Sequence, residues 1–330
     1  MMIDKPKLTQ EIPSAEELIS ILRQHAHTGR CGIYLHQLDD LQRQSLYQEL
    51  ETERLNRKCV DIKELFAATR QNWTQVMFII FMRALSDERN RPNFMEIARR
   101  VDFNILTREK HTPESVEMIL VGASGLLQGI KESEFTKEYR AKAEYLLHKY
   151  NITPLPARAW ETKGLLTSKM PILRLSQVAN LINHHDQLFN TMMHCKSRED
   201  LFNLFNVEAS EVWCNYFKSQ ASYKIGRAKI DLIGINLIVP MLYTYGFYIN
   251  DDSIIDTAND LNESIPAEDN RYVSRMRSYG LTPTSAFETQ AINQLLSVYC
   301  KGQLCDKCHI FRHMQSSKSV LSQLPILWSR

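Results

Sequence analysis

The sequence predicts an all-α fold, an irregular multi-helix bundle with a buried, proline-containing apolar helix in its carboxy-terminal half. Gly and Pro number only 11 each in 330 residues, too few for the tight turns of a strand-rich sandwich or barrel. Apolar residues recur at helical spacing, as at Leu18, Ile21 and Leu22 and again at Leu201, Leu204 and Phe205. Capping chemistry precedes such runs repeatedly. No period-two run bounded by hairpin turns stands out, so strands should be few.

Ser14 with Glu17 predicts a capping box ahead of LISIL, and Asn72 with Gln75 another ahead of VMFIIFM. Thr112, Pro113 and Glu114 place a cap, a first-turn proline and a negative charge where a helix dipole favours them. Pro154, Pro156, Gly164 and Pro171 then crowd one short stretch, where proline removes donors and disfavours helix. This divides the chain into an amino-terminal helical region (1–150), a linker or crossing (151–171), a carboxy-terminal helical region with a cysteine loop (172–314) and a flexible Ser-rich tail (315–330). One continuous domain is the alternative. Ser197 before Glu199 and Asp200, and Ser285 before Glu288, start two further helices. The run Ile230 to Ile249 is about long enough to cross a bilayer, but Asp231, Asn236 and Pro240 interrupt it. A mid-bilayer charge is costly, so a buried core helix kinked at Pro240 is expected instead, and no membrane partner.

Hydrophobic residues make up 44% and charged residues 24%, which is globular usage. With 40 Lys and Arg against 38 Asp and Glu, no overall field recruits nucleic acid, though a local basic patch still can. The first twelve residues have no signal-peptide core. Seven cysteines, three of them between Cys300 and Cys308, do not make a secreted disulfide framework. Reduced thiols and a cytoplasmic location are expected.

Several runs occur in a specific order: VGASGLL from Val121, MPILRLSQVANLI from Met170, IDLIGINLIVPMLYTYG from Ile230, IPAEDN from Ile265, and TQAINQLLSVYC with LCDKC from Thr289 to Cys308. Together they resemble the bacterial domain-of-unknown-function family numbered 2851, over about Thr52 to Cys308. The resemblance implies no assigned activity. It implies that members are usually longer at the amino terminus, with acidic and histidine motifs similar to a nuclease-type metal site. This chain is expected to begin after that region, so no catalytic residue carries over. The family's usual Arg-Pro pair before Pro171 is replaced here by Leu166-Thr167, which puts any ligand of that pair in doubt.

Two local patterns suggest chemistry. Cys300, Cys305 and Cys308 have spacing that lets thiolates converge on one ion, with Lys301 and Lys307 expected to lower their pKa values. His313 is the nearest fourth ligand by spacing and His309 the next; Cys31, Cys59, Cys195 or Cys214 would have to arrive from elsewhere. Zinc is the expected ion, an iron–sulfur cluster the alternative, and three thiols packed as small hydrophobes the plain reading. The second pattern is KSQASYKIGRAK, in which Lys224, Arg227 and Lys229 flank a glycine turn into a helix and suggest a phosphate or nucleic-acid grip. The preferred plain reading is a solvated basic loop capping the apolar helix. Arg89, Arg91, Arg99 and Arg100 interleave with Asp87, Glu88, Glu96 and Asp102, and ion pairing accounts for them without a ligand.

No His-Glu-x-x-His, Walker-type or Gly-x-Ser-x-Gly motif appears, so the sequence gives no reason to assert an enzyme and names no catalytic residue. The leading expectation is a non-catalytic binding or scaffold protein with a structural metal site and a protein partner. The alternative is a nucleic-acid-associated protein acting with a nuclease-like domain or partner.

Overall fold

The computed structural model describes residues 38–218, 223–278 and 281–316, with Ser14, Glu16, Glu17 and Ser20, and gives 113 and 313–316 as backbone only. The protein is all-α; among the described residues extended pairing amounts to two isolated bridges, Glu208 with Lys224 and Pro266 with Ser285. The chain forms two compact units, one from Lys58–Ile265 and one from Met1–Arg57 with Pro266–Arg330. Helix α1 (Asp40–Ala68) contributes residues to both.

In the Lys58–Ile265 unit, α2 (Trp73–Leu85) is buried from Gln75 through Met82. Asn72 caps it, accepting from the Gln75 N–H at 3.1 Å. The expected reciprocal half of that box does not form. The Gln75 side chain is spent on α3 (Arg91–Arg100), donating to the Ala98 and Val101 carbonyls, while its oxygen accepts from the Phe103 N–H at 2.7 Å. It thereby satisfies orphan groups where α3 ends and α4 (Phe103–Glu109) begins. Next come α5 (Pro113–Ala123) and α6 (Glu134–Lys149). Thr112 precedes α5 without a side-chain capping bond, so Pro113 and the dipole-matched Glu114 are what remain of that start signal.

Residues 151–171 lie inside this unit and are fastened from both sides. The Leu155 N–H donates to the Ala123 carbonyl and Trp160 Nε1 to the Ser124 carbonyl, each at 2.8 Å. The buried Asn90 amide exchanges two hydrogen bonds with the Glu161 backbone. Two 3-10 turns, Ala157–Ala159 and Thr167–Lys169, lead into α7 (Pro171–His184). Then follow α8 (Leu188–Met193), α9 (Arg198–Phe205), for which Ser197 and Asp200 form the capping box, and α10 (Glu211–Phe217).

Helix α11 (Arg227–Ile249) is long and apolar enough to cross a bilayer, and 67% of its most apolar window is buried inside the protein. The break expected from Pro240 is met by a π turn over Gly234–Ile238, through which the Val239 N–H reaches the Gly234 carbonyl. Gly234 lets α11 approach Leu201 and Ile265 closely; a Cβ there would stand 2.6 Å from Leu201 Cδ1. Helix α12 (Asp252–Ser264) packs along α11.

In the other unit, Leu46, Tyr47 and Leu50 of α1 pack with Phe287, Ile292, Leu295 and Leu296. The latter come from α14 (Ala286–Gln294), which follows α13 (Arg271–Arg277) and continues as a π turn over Leu295–Cys300. Helix α15 (His309–Ser316) closes the described chain. The IPAEDN and TQAINQ runs meet here through Glu268, whose carboxylate accepts from Thr289, Gln290 and Asn293.

Candidate functional site

In the Lys58–Ile265 unit, three segments distant in sequence place Lys229 within electrostatic reach of Arg91, Lys169 and Arg174, and Asp87 is the acidic neighbour of both Lys229 and Arg174. Arg91 opens α3, Arg174 is the fourth residue of α7, and Lys229 is the third of α11. Each cation therefore occupies a helix's first turn, where the macrodipole already presents positive charge. None of the three caps, Asn90, Met170 and Gly226, makes a side-chain capping bond.

Arg91 and Lys169 are exposed, whereas Arg174 is only 9% exposed and Lys229 is partly buried. Arg174 donates to Gln177 Oε1 at 2.9 Å, and Gln177 is itself tied to the Tyr223 carbonyl. Lys229 Nζ donates to the Ser86 carbonyl at 2.9 Å, at the carboxy-terminal end of α2. Among the described residues neither cation has a carboxylate within salt-bridge distance. Asp87 accepts from the N–H groups of Arg89 and Asn90 and from Asn90 Nδ2, so its oxygens are committed to a turn.

The electrostatic consequence is large. Burial first, opposed only by Asp87, lowers the Arg174 pKa to about 10. Lys229 is lowered to about 8, by burial first and then by the charges of Arg174 and Arg91, with Asp87 opposing and Lys169 adding to the fall. A floor of under-compensated cations beside helix amino termini is an arrangement that an anion stabilises.

Sequence reasoning singled out Lys229 but missed Arg174, and it assigned Arg91 and Asp87 to surface pairing. Part of that pairing exists, since Arg99 and Arg100 both reach Glu96. The overlooked signal was legible. Neither Arg174 nor Lys229 has an acidic residue three or four positions away on its own helix, the spacing that would neutralise it locally.

Lys224, Arg227 and Lys229 are not gathered into one grip. Two steps along a helix rotate a side chain by about 200°, so Arg227 and Lys229 face differently. Lys224 and Arg227 instead line a cleft of ≈ 710 Å³ with Arg198 and Phe202. Arg198 is held by Asp231 in a bidentate pair at 2.8 and 2.9 Å, and Lys224 lies 3.6 Å from Glu208. Arg227 lies over the Phe202 ring at 5.5 Å. Most of the cleft's positive charge is thus answered by its own carboxylates.

The cysteine loop lies in the other unit. Cys305 and Cys308 belong to its apolar core, and Cys300 packs against it. The lowering expected from Lys301 and Lys307 is reversed, because burial dominates. Burial, with the neighbouring sulfurs adding to it, pushes the Cys300 thiol up to about 12; burial pushes Cys308 up to about 11 against the opposing backbone N–H groups of Ile310 and Phe311. His309 is engaged elsewhere, with Nδ1 at 2.7 Å from Glu49 and Nε2 at 3.3 Å from Glu53. The His313 side chain lies outside the described residues. Among the described residues no group of three or more His, Cys, Asp or Glu side chains is placed to hold a metal ion. Buried neutral thiols react slowly, so iodoacetamide at pH 7.4 should leave Cys300 and Cys308 largely unlabelled until urea unfolds the chain. Mass spectrometry of the labelled peptides checks this, and rapid labelling of the folded protein would refute it.

No curated protein and no solved structure matches the chain. The family model described as a protein of unknown function, DUF2851, matches residues 3–271. The chain belongs to that family.

Proposed function

We propose that this protein is a binding or scaffold protein whose ligand is a phosphate-bearing anion seated on Arg174 and Lys229, not an enzyme acting on it. One observation carries the reading: two cations are withdrawn from water with no carboxylate within salt-bridge distance among the described residues. Burying an uncompensated charge costs several kcal/mol. Such an arrangement persists where a ligand supplies the missing charge. A planar guanidinium beside an ammonium suits phosphoryl oxygens, offering paired donors and a point charge. Arg91 and Lys169 at the exposed margin would draw the anion in.

Calorimetric titration with inorganic phosphate and pyrophosphate, at fixed ionic strength in chloride, tests the proposal. Saturable binding is expected, and Arg174→Met should weaken it by about ten- to a hundredfold, the usual range for a lost charged hydrogen bond. Absence of saturable binding, or equal affinity in the variant, would overturn it.

A second reading, association with nucleic acid, is favoured by Arg227 lying over Phe202 in a cleft that a strand's backbone and bases can follow. It calls for binding to single-stranded DNA and RNA that weakens with salt and is lost on Arg227→Glu. Salt-independent or absent binding would discard it. A structural zinc or an iron–sulfur cluster on Cys300, Cys305 and Cys308 is a separate proposal. The ion would have to displace protons that burial holds on the sulfurs, and metal analysis of the purified protein before and after Cys305→Ser tests it.

A further inference from the structure

A separate cavity of ≈ 400 Å³ opens in the Lys58–Ile265 unit, lined from α5, α6, α7 and the start of α10. Glu117, only 6% exposed, is among its lining residues. Its carboxylate accepts from Tyr139 Oη at 3.1 Å and Trp213 Nε1 at 3.0 Å, and from Ser176 Oγ. All three donors are neutral, and among the described residues no Lys, Arg or His pairs with this carboxylate. Glu114 and Glu138 add two more carboxylates to the lining; among the described residues Lys142 is its one cation, and it is already paired with Glu138 at 2.8 Å.

A further observation points to a ligand. Phe135 and Tyr139 line the cavity with ring centroids 5.7 Å apart, and the buried Trp213 backs Tyr139 edge-on at 5.2 Å. Ring faces attract organic cations, and carboxylates supply the countercharge. The volume lies in the range of small-molecule sites.

We infer that this cavity binds a small organic ammonium ion, its apolar body against Phe135 and Tyr139 and its charged head at the Glu114 carboxylate, with the Glu117 carboxylate adding countercharge beneath. The wall chemistry favours such a cation over a bare metal ion, because the carboxylates are not grouped as a ligating set. The site is independent of the Arg174–Lys229 cluster and opposite to it in sign.

Calorimetric titration of the full chain with 2-phenylethylamine and with choline tests the inference, using phenylacetate as an anionic control. Both ammonium probes should bind saturably with Kd below about 1 mM, and phenylacetate should not bind. Glu114→Gln, a change at an exposed residue, should weaken the ammonium probes about tenfold. Lys142→Gln, which removes the competing cation, should tighten them. The inference is overturned if neither ammonium saturates by about 10 mM, if phenylacetate binds as well, or if both variants bind like the parent protein.

Discussion

Replacing Lys229 with methionine is expected to stabilise the anion-free protein at pH 7 by about 2 kcal/mol, while removing its response to phosphate. The fall in the lysine's pKa from 10.5 to about 8 corresponds to roughly 3 kcal/mol spent on holding the charge inside. Loss of the hydrogen bond to the Ser86 carbonyl returns about 1 kcal/mol of that. Methionine keeps the apolar length of the side chain.

The sign of the pH dependence follows from which state binds the proton. Below about pH 8 the folded lysine is charged and the penalty is complete. Between about 8 and 10.5 the unfolded chain holds a proton that the folded chain has released, so the stability of the parent protein rises with pH. The advantage of Lys229→Met should therefore shrink across that window. Urea denaturation at a series of pH values measures it. The same experiment with phosphate at a hundred times its Kd should raise the stability of the parent by about 2.7 kcal/mol and leave the variant unmoved. A variant that is less stable at pH 7 would mean that Lys229 is not under-compensated.

Gly125→Ala is expected to be the most damaging single-methyl change, costing more than about 4 kcal/mol or abolishing folding. Gly125 has φ +69, in the left-handed region, and an added Cβ would lie 1.8 Å from the Leu155 carbonyl oxygen. Backbone cannot yield as a flexible side chain can. Relief would have to break the Leu155 and Trp160 hydrogen bonds that fasten 151–171 to the end of α5, and this segment delivers Lys169 and Arg174 to the cluster. Gly129 four residues on has nothing within 4 Å of an added Cβ, so Gly129→Ala should fall within about 0.5 kcal/mol of the parent. Thermal denaturation of the two variants side by side checks the contrast.

Helices were legible because periodic apolar residues and caps are local signals. The boxes at Ser14–Glu17 and Ser197–Asp200 form as their spacing implies. The Gln75 side chain departed from its box because a buried amide gains more by satisfying two helix ends than by closing a cap on one. The helix over Ile230 to Ile249 was also readable, although Phe247, Tyr248 and Ile249 at its end are exposed; the π turn by which it accommodates Pro240 was not, since that depends on Gly234 fitting between Leu201 and Ile265.

The site was harder. Lys229 stood out for its neighbours Lys224 and Arg227, yet the helix turns it towards Ser86 and away from them. Arg174 was hidden inside an apolar run, and Asp87 and Arg91 inside a charged one. Their convergence depends on Asn90, whose amide binds the Glu161 backbone across 71 positions of sequence. Local spacing carries no trace of such a contact. For the thiols, residue type suggested activation by lysine, and burial decided otherwise.

The central claim is that the protein holds Arg174 and Lys229 out of water with no carboxylate within salt-bridge distance among the described residues. Lysine-resolved NMR titration of the side-chain Cε and Nζ signals, with Lys229→Met identifying the resonance, tests it most directly. Lys229 should titrate near 8 in chloride, as its surroundings require, and shift upward when phosphate is added. A Lys229 resonance that titrates near 10.5 like an exposed lysine, and is unmoved by phosphate, would contradict the account.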